Sequence, residues 1–156
     1  MAVLIDVDDT GWRRVDDVEM LAERAVIATL EHQGCDRDSV DVSVLLTGDD
    51  EAARINAAWR NKSYAPNVLS FPAANAGELP GDASRPLGDI VLAAGVVARE
   101  ALEQKKPMDR HLSHLIVHGV LHLFGYDHAN DADADRMERA EAAVLRVIGF
   151  PDPYDA

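Results

Sequence analysis

The chain has 156 residues, of which 40 are Leu, Val, Ile or Phe. That share, about a quarter, suits one hydrophobic core and excludes a disordered chain. Twenty-eight acids against 15 Lys and Arg give a net charge of −13, so the molecule as a whole repels a polyanion.

Other composition features narrow the class. No apolar run approaches the roughly 18–20 residues of a membrane span. The start, MAVLIDVDDT, lacks the basic stretch of a secretory leader. Cys35 is alone, which forbids an internal disulfide and suits a reducing compartment. The expectation is a single cytoplasmic domain over residues 1–156, without a membrane partner. Charge is unevenly spread. Residues 1–51 hold 14 acids and 4 bases and residues 127–156 hold 8 and 3, whereas residues 52–126 hold 6 and 8. Only that middle part can face a phosphate backbone without strong repulsion.

In chain order, Val3, Ile5 and Val7 alternate as in a strand. Apolar residues recur at helical spacing from Asp16 to Gln33, and Gly34 makes a stop. Val40, Val42, Val44 and Leu46 predict a second strand, and Thr47 to Asp50 offer caps for a short helix through Ile55 and Trp59. Residues 67–71 and 89–93 read as strands either side of a Pro/Gly-rich surface loop from Pro72 to Pro86. Helices follow over about 94–106 and 109–124, parted by Pro107. A last helix is capped by Asn130 or Asp131 and ended by Gly149 before Pro151. The fold class is α+β, or layered α/β: a small mixed four-stranded sheet packed with about five helices.

Chemistry concentrates between His111 and His128. His118 and His122, four apart on one helix, present both imidazoles on one face. Gly125 permits a tight break, which returns His128 toward the same point. Three imidazoles with an open fourth position suit one Zn²⁺ ion per chain, whose bound water has a pKa of about 7. The spacing H-x-x-x-H-x-x-G-x-x-H is that of the metzincin zinc proteases, but Gly119 stands where those enzymes carry their general-base Glu. A zincin-like metal helix is therefore expected, and a protease is not. His114, one turn earlier, is expected to be structural, with a role supporting the ligands as the alternative. Asp127 either orients a ligand imidazole or caps the turn. His111 is expected at the surface, and Met137 and Trp59 in the core.

The string His118-Gly-Val-Leu-His122-Leu-Phe-Gly125-Tyr-Asp-His128 resembles the signature of the YbeY family of bacterial endoribonucleases, also called rRNA maturation factors. Ile55-Asn-Ala-Ala-Trp-Arg60-Asn-Lys62, Asn67-Val-Leu-Ser-Phe-Pro72, Leu87-Gly-Asp89-Ile and Gly149-Phe-Pro-Asp-Pro-Tyr154 resemble further family elements. Trp59 stands where Tyr is usual, and Ser63-Tyr64-Ala65-Pro66 replaces the common D-x-P-T.

The resemblance implies zinc-dependent cleavage of single-stranded RNA, in 16S rRNA 3′-end maturation and ribosome quality control. It implies the ribosomal small subunit and an assembly GTPase as partners, with no DNA, and it marks Arg60 as functional. A guanidinium can grip a phosphate with two parallel donors, which fits that role. Lys62 and Arg54 are candidate RNA contacts, as are Lys105, Lys106 and Arg110, though for all of these a solvated surface is the simpler expectation. Asp89 is marked by the resemblance and equally well explained by structural hydrogen bonding. No carboxylate has a clear claim to be general base. The competing readings are a ribosome-assembly factor with a structural zinc site, and a zinc hydrolase of peptides or small molecules.

Overall fold

A computed structural model of the chain describes residues 2–73 and 84–155. Four strands, β1 (Ala2–Val7), β2 (Val40–Thr47), β3 (Val68–Pro72) and β4 (Arg85–Ala93), form one sheet in the order β1-β2-β4-β3. β1, β2 and β4 run parallel, and β3 closes one edge antiparallel to β4. Five helices pack on this sheet: α1 (Val18–His32), α2 (Asp49–Arg60), α3 (Ala94–Glu103), α4 (Met108–Leu123) and α5 (Asp131–Val147). The α+β class and the mixed sheet are as the sequence predicts. Among the described residues no helix is long and apolar enough to cross a membrane.

The strand periodicity sets the layers. Val40, Val42, Val44 and Leu46 of β2, with Ile90 and Leu92 of β4, turn one face toward α1, α4 and α5. Ala25, Val26 and Leu30, Ile116, Val120 and Leu121, and Met137 and Val144 complete this buried cluster. Leu69, Val91 and Ala93 face the other way, against Ala52 and Ile55 of α2. The sheet is thus sandwiched, and α4 is the most enclosed of its helices, with ten buried residues.

Four differences from the sequence reading have local causes. A 3-10 turn, Thr10–Arg14, precedes α1 and buries Trp12 completely, with its indole N–H on the Thr47 carbonyl at 3.0 Å. β4 begins at Arg85 rather than 89. A register shift opposite Asp41 and Val42 admits Pro86, which has no N–H to offer the ladder. The loop expected from Pro72 to Pro86 is therefore shorter, since Pro72 ends β3 and Pro86 lies in β4; its residues 74–83 lie outside the described residues. α3 stops at Glu103 because Lys105 takes a left-handed φ of 56° and the Lys106 N–H turns back to the Ala101 carbonyl.

Candidate metal centre

α4 ends beside the edge strand β3, and its last two turns carry His118 and His122. The helix closes with a Schellman turn: the Gly125 N–H reaches the His122 carbonyl at 3.0 Å and the Tyr126 N–H reaches Leu121 at 3.2 Å. Gly125 sits at φ 92°, where a side chain would be strained. This reversal carries His128 back over the helix end. The His128 ring lies 5.7 Å from that of His118 and 5.3 Å from that of His122, centre to centre. One ring nitrogen from each of the three lies within 4.8 Å of the others.

Two of the rings are oriented from behind. His118 Nδ1 lies 3.1 Å from an Oε of Glu141 on α5, and His122 Nδ1 lies 2.8 Å from the Tyr126 carbonyl oxygen. A carbonyl only accepts, so His122 donates there through Nδ1–H. Burial alone would raise the Glu141 carboxyl, but hydrogen bonds from His114 and His118 hold it down at about 2. Glu141 is thus ionised, and His118 donates to it as well. Both Nε2 lone pairs are left facing each other at 3.1 Å. Two lone pairs at that distance repel unless a cation lies between them or one ring is protonated. Burial and the adjacent His118 ring push the His122 imidazole below its usual value, against protonation there. The donor set therefore fits a divalent cation, with backing on Nδ1 of the kind that metal-ligating imidazoles ordinarily have.

Glu141 is the residue that the sequence pattern does not assign. It is 1% exposed, and it also accepts a short bond from His114 Nε2 and the Tyr154 hydroxyl at 2.7 Å. Its signal is visible in retrospect, as a lone carboxylate on the apolar stripe of Met137, Ala140, Val144 and Leu145. Burial, then the bond to Glu141, push the Tyr154 phenol well above its usual value, so it remains a donor.

The histidines open into a cavity of about 380 Å³ that Arg60, Asn67, Val68, Leu69, Ser70 and Pro72 also line. Among the described residues none that lines it is acidic. Arg60, in the last turn of α2, reaches across β3: its Nη2 donates to the Ser70 carbonyl, and its guanidinium lies over the Phe71 ring at 5.1 Å. A larger depression of about 760 Å³ beside Trp12 and Met20 contains none of these groups.

Gly119 explains the missing protease base. A Cβ there would stand 3.1 Å from both Ile90 Cγ2 and Ser70 Oγ, and Ser70 Oγ donates to the Gly119 carbonyl at 3.2 Å. α4 packs so closely on β3 and β4 that any side chain at this position would have to displace Ile90 and Ser70.

Other candidates fall elsewhere. His111 is buried rather than at the surface, because its Nε2 is held 2.8 Å from Glu100 beneath α3. His114 is bound to Glu141 and Tyr154. Asp127 caps the turn by accepting the His128 N–H at 2.7 Å. Asp89 is exposed on the sheet face away from α4. Trp59 is 76% exposed rather than in the core, because the residues of α2 that face the sheet are Ala52, Ile55 and Asn56. Met137 is buried as expected. Arg54 is exposed and paired with Glu51, Lys62 is exposed, and neither lines the cavity.

The family model described as endoribonuclease YbeY matches residues 6–149. The chain belongs to the endoribonuclease YbeY family. The matched span holds Arg60, the three converging histidines and Glu141. The endoribonuclease YbeY of Bradyrhizobium diazoefficiens is 50% identical over 145 residues, 92% of this chain and 79% of that protein. That of Rhizobium meliloti is 42% identical over 160 residues, 97% of this chain and 94% of that protein. A solution structure from Thermotoga maritima matches 99% of this chain and all of that one with a TM-score of 0.57; at 23% identity it shows the fold.

Proposed function

We propose that this YbeY family member is a single-domain, zinc-dependent endoribonuclease, with His118, His122 and His128 holding one ion and Arg60 holding the scissile phosphate. The observation that carries the reading is the contrast between a chain of net charge −13 and a cavity that, among the described residues, is lined by three imidazoles and a guanidinium and by no acid. A substrate that brings its own negative charge suits that cavity better than a neutral peptide does.

When bound, the ion supplies Lewis acidity and a source of nucleophilic water at neutral pH. Glu141 and the Tyr126 carbonyl fix the orientation of His118 and His122. Arg60 is held by Ser70 and Phe71 while its remaining N–H groups stay available to the negative oxygens that gather charge in the transition state. Glu141 is no general base for the substrate, since it lies buried behind His118. The strand cut is single-stranded RNA. Following the family resemblance, the process is 16S rRNA 3′-end maturation and ribosome quality control in the cytoplasm, with the small subunit and an assembly GTPase as partners.

The test is metal analysis joined to a cleavage assay on a defined single-stranded RNA. The wild type should carry one zinc per chain and cut. Arg60→Ala should keep the zinc and lose most cleavage, and His118→Ala should lose both. Cleavage by Arg60→Ala at the parent rate would remove Arg60 from the mechanism. Zinc that stays in His118→Ala would point to a structural site held elsewhere. A 2′,3′-cyclic phosphate on the product ends would identify the RNA 2′-hydroxyl as nucleophile, and a free 3′-hydroxyl with a 5′-phosphate would identify water.

A further inference from the structure

A second cavity, of about 280 Å³, lies on the other side of His118. It shares Asn67, Val68 and His118 with the histidine cavity, so the two adjoin at the metal-facing ring. Its outer wall is the C-terminal segment, through Pro153 and Tyr154. That segment has no helix or strand, yet it is pinned. Lys106 Nζ donates to the Pro153 carbonyl at 3.3 Å, the Tyr154 N–H donates to Asp152 at 2.9 Å, and the Tyr154 hydroxyl is fixed on Glu141. The His114 and Tyr154 rings stand perpendicular, 5.4 Å apart between centres and at 89°. Even so, Tyr154 remains 48% exposed. An aromatic ring anchored at its hydroxyl and open over its body is a platform on which a base can stack at small entropic cost.

Charge separates the two cavities. Among the described residues the first is lined by Arg60 and no acid, whereas the second sets the carboxylate of Glu100, whose side chain is 29% exposed, against the ammonium of Lys106. A phosphate is favoured in the first, while the second offers it no net positive charge. A neutral base is compatible with the second, where Glu100 and the exposed Gln104 can accept from ring N–H or amino groups.

We propose that this second cavity is a nucleobase subsite, in which Tyr154 stacks the base of the nucleotide adjoining the phosphate held at Arg60 and the histidines. The proposal rests on the endoribonuclease reading. The competing role for Tyr154 is to buttress Glu141 and, through it, His118. Steady-state cleavage by Tyr154→Phe and Tyr154→Leu, with zinc content measured on each, separates the two. Both variants lose the hydroxyl, so both share any change in kcat or zinc. Only Tyr154→Leu should raise KM, by about tenfold, with Tyr154→Phe restoring it. An RNA with one abasic position next to the cut should raise the wild-type KM equally, and should cost Tyr154→Leu nothing more. Equal KM for the Phe and Leu variants, or abasic and Leu effects that add, would overturn the subsite. If the zinc-loaded wild type cuts no RNA, the endoribonuclease reading fails and the subsite with it, a result distinct from cleavage that ignores Tyr154.

Discussion

The two halves of α4 carry the same residue type on one stripe and use it in opposite ways. His111 and His114 lie in the first half, His118 and His122 in the second. In the first pair Nε2 is bound to a carboxylate, Glu100 or Glu141, while Nδ1 is buried and has no partner among the described residues. In the second pair Nδ1 is bound behind the ring and Nε2 points into an open cavity. An imidazole has two nitrogens, and the one held by the surroundings decides what the other can do. Glu141 joins the halves, because it accepts from His114 on one oxygen and from His118 on the other.

That comparison can be broken most severely at the open pair. His118→Ala or His122→Ala should abolish zinc binding and cleavage, whereas His111→Ala should leave bound zinc in place, as metal analysis and the RNA assay will show. Next in size, Arg60→Ala should reduce kcat by about 10²–10³ with zinc retained, the range for loss of one charge-stabilising donor. Glu141→Gln should weaken zinc affinity by about 10–100-fold in competition with a chelator. Unchanged affinity there would mean that Glu141 serves His114 and Tyr154 only. Gly119→Ala should cost about 1–3 kcal/mol by overpacking against Ile90 and Ser70, in part offset by the better helix propensity of Ala. Denaturant melts will measure the net loss.

The smallest effect concerns the closed pair and pH. Burial pushes the His111 imidazole below its ordinary 6.5, against the opposing pull of its hydrogen bond to Glu100. The folded chain then holds that proton less readily than the unfolded chain. The stability attached to neutral His111 is present above pH 6.5 and is lost as the pH falls through the lowered folded value. His111→Gln should flatten that part of the stability profile relative to the wild type.

Much of this was legible in the chain. Alternating Val and Leu in β2 and the helical recurrence in α1 placed both elements to within about two residues. Gly125 and the i, i+4 histidines located the bend and the converging rings, because these depend on local geometry. Errors came where a distant partner overrode the local signal. Trp59 has the character of a core residue but falls on the outer side of α2, and His111 has a polar character but is covered by α3. Trp12, which the sequence pattern does not assign, is buried because a turn before α1 brings it to Thr47, 35 residues away.

Local spacing along one helix and one turn suffices to bring three imidazoles together, so the sequence by itself determined the candidate metal ligands and the layered α+β plan. Only the tertiary structure decided the rest: that Arg60 from α2 crosses β3 to the same cavity, that Glu141 from α5 stands behind His118, and that Ile90 and Ser70 crowd the position of Gly119. Those relations join residues 23 or more positions apart or on different elements. They are set by which faces the sheet buries rather than by any periodicity along the chain.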